Sequence, residues 1–196
     1  MSHYFINDNS LNRDLKYIDY NFKGRAFKFA THDGVFSKNR VDYATDILLN
    51  TIPDVTQNGA LLDIGCGYGC IGIVLAMHYS LKLTQADVNS AAVELTRYNC
   101  KYNGVKSNII ESNCFDGISG KFDIIVLNPP IHAGKAVTYK MYEGAKNRLN
   151  PGGVFYIVTL KKHGAESTFG KLNEVFKNRV NVIYKKKGHY VFECSL

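Results

Sequence analysis

From residue 60 to residue 160 the chain alternates between short apolar runs and stretches with helical spacing, and that alternation leaves few folds open to it. Ala60–Ile64, residues 81–86 and 105–110, Phe122–Leu127 and residues 154–160 read as strands. Residues 69–77, 90–103 and 135–148 read as helices between them, with Ser90 capping the second and Asn150-Pro-Gly-Gly ending the third. Strands this uniformly apolar need cover on both faces, which calls for an α/β fold with a parallel sheet between two helical layers. The end of the chain departs from the pattern: residues 180–184, the turn Lys185-Lys-Lys-Gly188 and residues 190–194 read as an antiparallel hairpin. Ahead of the alternation, Ile18, Tyr20 and Phe22 face Phe27 and Phe29 across Lys23-Gly24, again as a hairpin. Residues 40–50 then carry Val41, Ala44, Ile47 and Leu48 at helical spacing before Pro53. With no repeats or linkers, one domain over 1–196 is expected: a hairpin preface (1–39) and a core (40–196).

Composition narrows the class. Hydrophobic residues at 45% and charged residues at 21% are those of a soluble globular protein. No apolar run approaches the ~18 residues of a membrane span, and the amino terminus lacks the basic and apolar segments of a secretory signal. A cytoplasmic protein with no membrane partner is therefore expected. Cys66, Cys70, Cys100, Cys114 and Cys194 are scattered with no C-x-x-C pair, so reduced thiols and no metal site are expected. The net charge of +7 favours a polyanionic partner. After residue 160, Lys161, Lys162, Lys171, Lys177, Arg179 and Lys185-Lys-Lys187 outnumber Glu166, Glu174 and Glu193. They read either as a nucleic-acid footprint or as a solvated helix face and one charged turn.

The stretch Asp63-Ile-Gly-Cys-Gly-Tyr-Gly-Cys-Ile-Gly72 has two readings. Gly67, Gly69 and Gly72 fit the G-x-G-x-x-G dinucleotide fingerprint, the basis of an alternative function as an NAD-dependent oxidoreductase. Shifted back, the same stretch is an acidic glycine loop, Asp63-x-Gly65-x-Gly67-x-Gly69. A carboxylate inside the strand suits a cationic cofactor with an ammonium and a sulfonium, and it repels a pyrophosphate. Asp87, at the end of the next strand, fits either reading as an acceptor for ribose hydroxyls.

The strand Phe122–Leu127 runs into Asn128-Pro-Pro-Ile-His132. Two prolines fix the backbone there and remove two N–H donors. The Asn128 side-chain oxygen and the Pro129 carbonyl remain as acceptors, a pair suited to a planar –NH2 group. Two hydrogen bonds taken from that group turn its lone pair toward an electrophilic methyl, so that positioning and electrostatics carry the rate.

Asp63-x-Gly-x-Gly-x-Gly, Asp87 and Asn128-Pro-Pro together resemble the amino-group methyltransferases of the class I S-adenosylmethionine-dependent superfamily. Gly34-Val-Phe-Ser-Lys-Asn-Arg-Val-Asp42, Ser112-Asn113 and Asn128-Pro-Pro-Ile-His-Ala-Gly-Lys135 are similar to the small-subunit ribosomal RNA guanine-N2 methyltransferases and their single-domain relatives. The resemblance implies a Rossmann-like, seven-stranded class I methyltransferase sheet, mostly parallel with a terminal antiparallel hairpin, plus an N-terminal β-hairpin extension. It implies S-adenosylmethionine as cofactor and ribosomal RNA or the 30S subunit as partner, with methylation of guanine N2 in 16S ribosomal RNA. Adenine N6 and a protein glutamine amide are the alternative amines, and a non-catalytic RNA-binding module is a further one. On matching positions, Asp63, Gly65 and Gly67 would line the methionine moiety, Asp87 the ribose, and Asn113 the adenine edge with Cys114 beside it; Cys66 and Val88 would also bind the cofactor. Phe36 would close the cofactor pocket, or else be a core aromatic. Asn128 and Pro129 would be catalytic, with Asn128 also bordering the cofactor, and Pro130, Ile131, His132 and Lys135 would meet the substrate. His132 reads equally as a helix cap. Ile131 departs from the aromatic residue that many Asn-Pro-Pro enzymes carry there, so base stacking has to come from elsewhere.

Overall fold

The computed structural model describes residues 15–32, 35, 39–55, 57–130 and 133–196, and in it the alternation of apolar and helical segments becomes a doubly covered sheet. A hairpin of β1 (Lys16–Phe22) and β2 (Arg25–Thr31) precedes α1 (Tyr43–Thr51). Then follow β3 (Ala60–Ile64), α2 (Cys70–Tyr79), β4 (Lys82–Asp87), α3 (Ser90–Tyr102), β5 (Ser107–Glu111), β6 (Phe122–Leu127), α4 (Gly134–Arg148) and β7 (Leu149–Leu160). A 3-10 turn (Lys161–His163), α5 (Ala165–Phe176), β8 (Val180–Lys186) and β9 (His189–Ser195) complete the chain. The seven-stranded sheet has the order β5-β4-β3-β6-β7-β9-β8, parallel from β5 to β7 and antiparallel beyond. This is the mostly parallel sheet with a terminal antiparallel hairpin that the sequence predicts.

Neighbouring strand residues point to opposite faces. Leu61, Leu83, Val126 and Val158 pack with α1, α2, α3 and the hairpin aromatics Phe22, Phe27 and Phe29. Leu62, Ile64, Ile125 and Ile157 pack with α4 and α5 on the other face. The amino-terminal hairpin is fastened to α3 by fully buried Asn99, whose Oδ1 accepts from Ala30 N (2.7 Å) and whose Nδ2 donates to Ala30 O (2.9 Å).

Several boundaries differ from the sequence reading, each for a local reason. The cap of α3 is Asn89, whose side chain accepts from Ala91 N, and Ser90 is the first helical residue. Helix α1 begins at Tyr43 instead of residue 40, because the Asp42 carboxylate takes the N–H groups of Ala44 and Thr45. Val105 closes the end of α3 through a bond to Cys100 O (2.8 Å), which delays β5 to Ser107. Asn150-Pro-Gly-Gly lies inside β7, in a bulge between the pairs Phe122–Leu149 and Ile124–Val154, one of the sheet positions that tolerates proline. Strands β8 and β9 run on to Lys186 and His189, and Lys187-Gly188, both left-handed, makes the two-residue turn. Helix α5 is more than a solvated face: it buries Ala165, Thr168, Leu172, Val175 and Phe176.

Candidate active site

Chain order in the sheet runs outward from β3 to β5, then jumps back to β6 and continues to β7. Open α/β sheets bind ligands at the carboxyl ends of strands where the order reverses, here between β3 and β6. Both motifs emerge at that point. Asp63 pairs with Val126, so continuing the register sets Gly65 opposite Asn128. A Cβ on Gly65 would stand 3.8 Å from Cδ1 of Leu127, the residue before Asn128.

The glycine loop is braced from below by side chains. Gly65, Gly67 and Gly69 all have left-handed backbones, at φ of 70°, 59° and 89°. Gly67 is held at both ends, donating N–H to Asp87 Oδ2 (2.9 Å) and accepting at its carbonyl from Thr96 Oγ1 (2.9 Å). Asn99 Nδ2, one turn further along α3, donates to Tyr68 O (2.8 Å). Gly72 N donates to Asp63 Oδ2 (2.8 Å), and a Cβ at Gly72 would fall 2.8 Å from Gln85 Nε2. The third glycine of the dinucleotide-like match thus lets α2 press onto β3 and β4. Its N–H and that of Gly67 end on carboxylates, an arrangement hostile to a pyrophosphate.

Electrostatics favour a cation at this loop. Asp63 is 1% exposed, and burial pushes its carboxyl up to about 7 against the pull of Gly72 N–H and Gln85. Burial also raises Asp87 above the ordinary carboxylate range, against the N–H groups of Asn89, Gly67 and Val88. Neither acid has an ion-pair partner among the described residues. Asp63 Oδ1 is a buried acceptor with no hydrogen bond there, while a Cβ on Gly67 would meet nothing within 4 Å. An unsatisfied buried carboxylate oxygen and an open glycine surface fit a ligand that carries an ammonium.

Across the switch point, Asn128 is half-buried and its amide is oriented. Nδ2 donates to Thr45 Oγ1 (3.0 Å) and Asp42 Oδ2 (3.2 Å). Since Asp42 and Thr45 can take only the NH2 end in this arrangement, Oδ1 is the atom left as acceptor, and it has no partner among the described residues. Pro129 and Pro130 follow, also half-buried. The sequence does not mark Asp42 and Thr45 as site residues, although Asp42 closes the preface motif. The pairs span 86 and 83 residues, beyond any spacing rule. Thr96 and Asn99 carry only a weak signal, an i, i+3 polar pair on an otherwise apolar helix face.

The other predicted residues divide. Val88 is exposed (41%) just past β4, and Asn113 is exposed beyond β5. These two strand ends are tied by Ser112 N to Asp87 O (2.9 Å), so Asp87, Val88 and Asn113 lie together at the carboxyl ends of β4 and β5. Cys114 is buried with φ of 52°. The Cys66 thiol turns inward to Thr96 Oγ1 (3.6 Å), and burial pushes it well above the usual range, leaving it a packing group. Lys135 is exposed in the first turn of α4. Phe36, Ile131 and His132 lie outside the described residues. Among the described residues there is no group of three or more His, Cys, Asp or Glu side chains placed to hold a metal, and no helix long and apolar enough to cross a membrane.

Comparison with known proteins places the chain in a family. Residues 26–193 match the family described as the methyltransferase small domain. The chain is 35% identical over 197 residues to YbxB of Bacillus subtilis, covering 98% of each. It is 39% identical over 133 residues to the ribosomal RNA small subunit methyltransferase C of Cronobacter sakazakii, across 65% of this chain and 39% of that one. Among solved structures, the 16S rRNA N2 methyltransferase RsmC of T. thermophilus, in complex with AdoMet and guanosine, superposes with a TM-score of 0.83 at 27% identity, over 95% of this chain and 51% of that one. The chain thus spans about half of the solved enzyme and about two fifths of the Cronobacter one.

Proposed function

The chain belongs to the methyltransferase small domain family, and we propose that it transfers a methyl group from S-adenosylmethionine to guanine N2 of 16S ribosomal RNA. The cofactor is S-adenosylmethionine, which supplies an electrophilic methyl on a sulfonium. Asp63, Gly65 and Gly67 would hold its amino-acid end, with Asp63 Oδ1 as acceptor for the ammonium. Asp87 and Val88 would border its ribose, and Asn113 and Cys114 its base. The nicotinamide reading of Gly67, Gly69 and Gly72 is not kept, since Asp87 and Asp63 occupy two of those N–H groups.

The observation that carries the proposal is the oriented amide of Asn128. Its Oδ1 and the Pro129 carbonyl would accept both hydrogens of an exocyclic amine and aim the nitrogen lone pair across the cleft. A guanine N2 group has that planar geometry once the nucleotide leaves its stack. The same two acceptors suit adenine N6 or a glutamine amide; the likeness to the 16S rRNA enzymes, and a net charge of +7, favour the guanine of an RNA.

The test is methyl transfer from labelled S-adenosylmethionine to 30S subunits from a strain lacking guanine-N2 methylation, with nucleoside mass analysis of the product. N2-methylguanosine in 16S RNA is the expected result. Incorporation into N6-methyladenosine or protein alone would redirect the reading, and no incorporation into any ribosomal particle would end it.

A further inference from the structure

Resting on that reading, we propose that an open basic depression at the end of β7 holds the phosphodiester backbone of the single-stranded RNA that flanks the target nucleotide. The depression has a volume of about 630 Å³ and is lined by Leu160, Lys161, Lys162, Lys187 and Gly188. Two separate elements build it, the 3-10 turn after β7 and the β8–β9 turn, joined by a bond from Lys161 N to Gly188 O (2.7 Å). The three lysines are exposed, and none pairs with a carboxylate among the described residues. Lys185 is different, since its ammonium lies 5.4 Å from the Tyr190 ring centroid. Uncompensated lysines on two convergent turns suit a run of phosphates, which they meet as point charges.

Position links this surface to the site. Asp42 holds Asn128, and the next residue, Tyr43, packs edge-on against His189 with ring centroids 5.1 Å apart. His189 pairs with Leu160, and its Nδ1 lies 3.1 Å from Lys187 O. A continuous path of contacts therefore leads from the Asn128 amide to the lysines, with two aromatic rings along it. Topology gives the direction. The cofactor loops occupy the ends of β3, β4 and β5, on one side of β6. An RNA strand that delivers a base to Asn128 has to leave over the other side, across β7 and β9. Neighbouring strands lie about 5 Å apart, so the depression falls within reach of the phosphates next to the flipped nucleotide.

The experiment measures binding of a fluorescein-labelled 12-nucleotide single-stranded RNA across a salt series, with saturating S-adenosylhomocysteine. Wild-type protein is compared with Lys161→Gln/Lys162→Gln/Lys187→Gln and with a control, Lys101→Gln/Lys106→Gln/Lys121→Gln, which removes equal charge from α3 and the amino-terminal approaches to β5 and β6. The site triple should flatten the slope of log affinity against log salt by about 2, at roughly 0.7 per lost phosphate contact, and weaken binding more than tenfold at low salt. Its melting temperature and S-adenosylhomocysteine affinity should stay at wild-type values, and its methyl transfer to RNA should show raised KM with unchanged kcat. A wild-type slope in the site triple, an equal loss in the control, or no RNA binding by wild type each overturns the proposal. So does loss of binding to phosphatidylserine vesicles with RNA binding intact, which would assign the lysines to a membrane surface. Methyl transfer by wild type together with an unflattened slope defeats this proposal alone; a flattened slope without any methyl transfer to ribosomal particles defeats the assigned reaction alone.

Discussion

The two sides of the switch point between β3 and β6 are held in place by different kinds of contact. On the cofactor side, the glycine loop is tied to Asp63, Asp87, Thr96 and Asn99 over separations of 9, 20, 29 and 31 residues. All four braces lie within two consecutive β-α units, so this half takes shape as those units close. On the acceptor side, Asn128 depends on Thr45 and Asp42, which are 83 and 86 residues away. That half exists only with the start of α1 docked at the end of β6. Under the proposed function the difference separates two roles: the near braces would fix where the cofactor rests, and the distant ones which atom of Asn128 would face the amine.

The largest effect expected from this division comes from Asn128→Ala. Losing a positioned hydrogen-bonding group at a reacting centre typically costs about 10²–10³ in kcat. Transfer should fall by that factor, while S-adenosylhomocysteine affinity changes far less. Equal losses in both would put Asn128 on the cofactor side and break the comparison.

Next in size is Gly72→Ala, which strikes the near braces. The added Cβ would sit 2.8 Å from Gln85 Nε2, 2.9 Å from Leu83 Cδ1 and 3.0 Å from Asp63 Oδ2. Overpacking of this kind costs about 1–3 kcal/mol, or a few to about 10 °C in melting temperature for a chain this long. Calorimetry should show that drop together with weaker cofactor binding, because Asp63 moves with the glycine.

A smaller, pH-dependent effect belongs to Asp63. Its carboxyl sits at about 7 when folded against 3.8 ordinarily, so the folded state keeps a proton that the unfolded chain has released. Its contribution to stability is present below about pH 4 and is lost as pH rises through about 7. A bound ammonium reverses the preference and favours the carboxylate. Below pH 7 binding must expel the proton, so S-adenosylhomocysteine affinity should fall by up to about tenfold per pH unit and level off above pH 7. Titration calorimetry at several pH values checks this, and Asp63→Asn should flatten the profile.

The same division explains what could be read from the sequence. Strand runs such as Phe122–Leu127, the glycine loop and Asn128-Pro-Pro are local patterns whose chemistry is set by adjacent residues. The braces on Gly67 and Tyr68 were partly open to view, since Thr96 and Asn99 share a helix face. The Asp42 and Thr45 contacts were not, because nothing in residues 42–45 says which strand end they will meet. Likewise the charges that flank α5 read as a solvated face, although Leu172, Val175 and Phe176 carry its buried stripe. The bulge at Asn150-Pro-Gly-Gly imitated a helix stop because Pro and Gly mark both.

The smallest and most specific effect concerns Thr45. Thr45→Ala removes one of two acceptors on Asn128 Nδ2 and leaves Asp42 in place. A neutral hydrogen bond contributes about 0.5–1.5 kcal/mol, so the amide should stray from its productive orientation by an amount that lowers kcat about 2- to 10-fold. KM for S-adenosylmethionine should not move, since the near braces are untouched. Thr45 is also 7% exposed, so a loss of packing has to be told apart from a loss of orientation. Thr45→Val keeps the volume without the acceptor, and Thr45→Ser keeps the acceptor with less volume. Orientation predicts that serine restores kcat and valine does not. The reverse order would make Thr45 a packing residue and leave Asp42 as the sole director of the Asn128 amide.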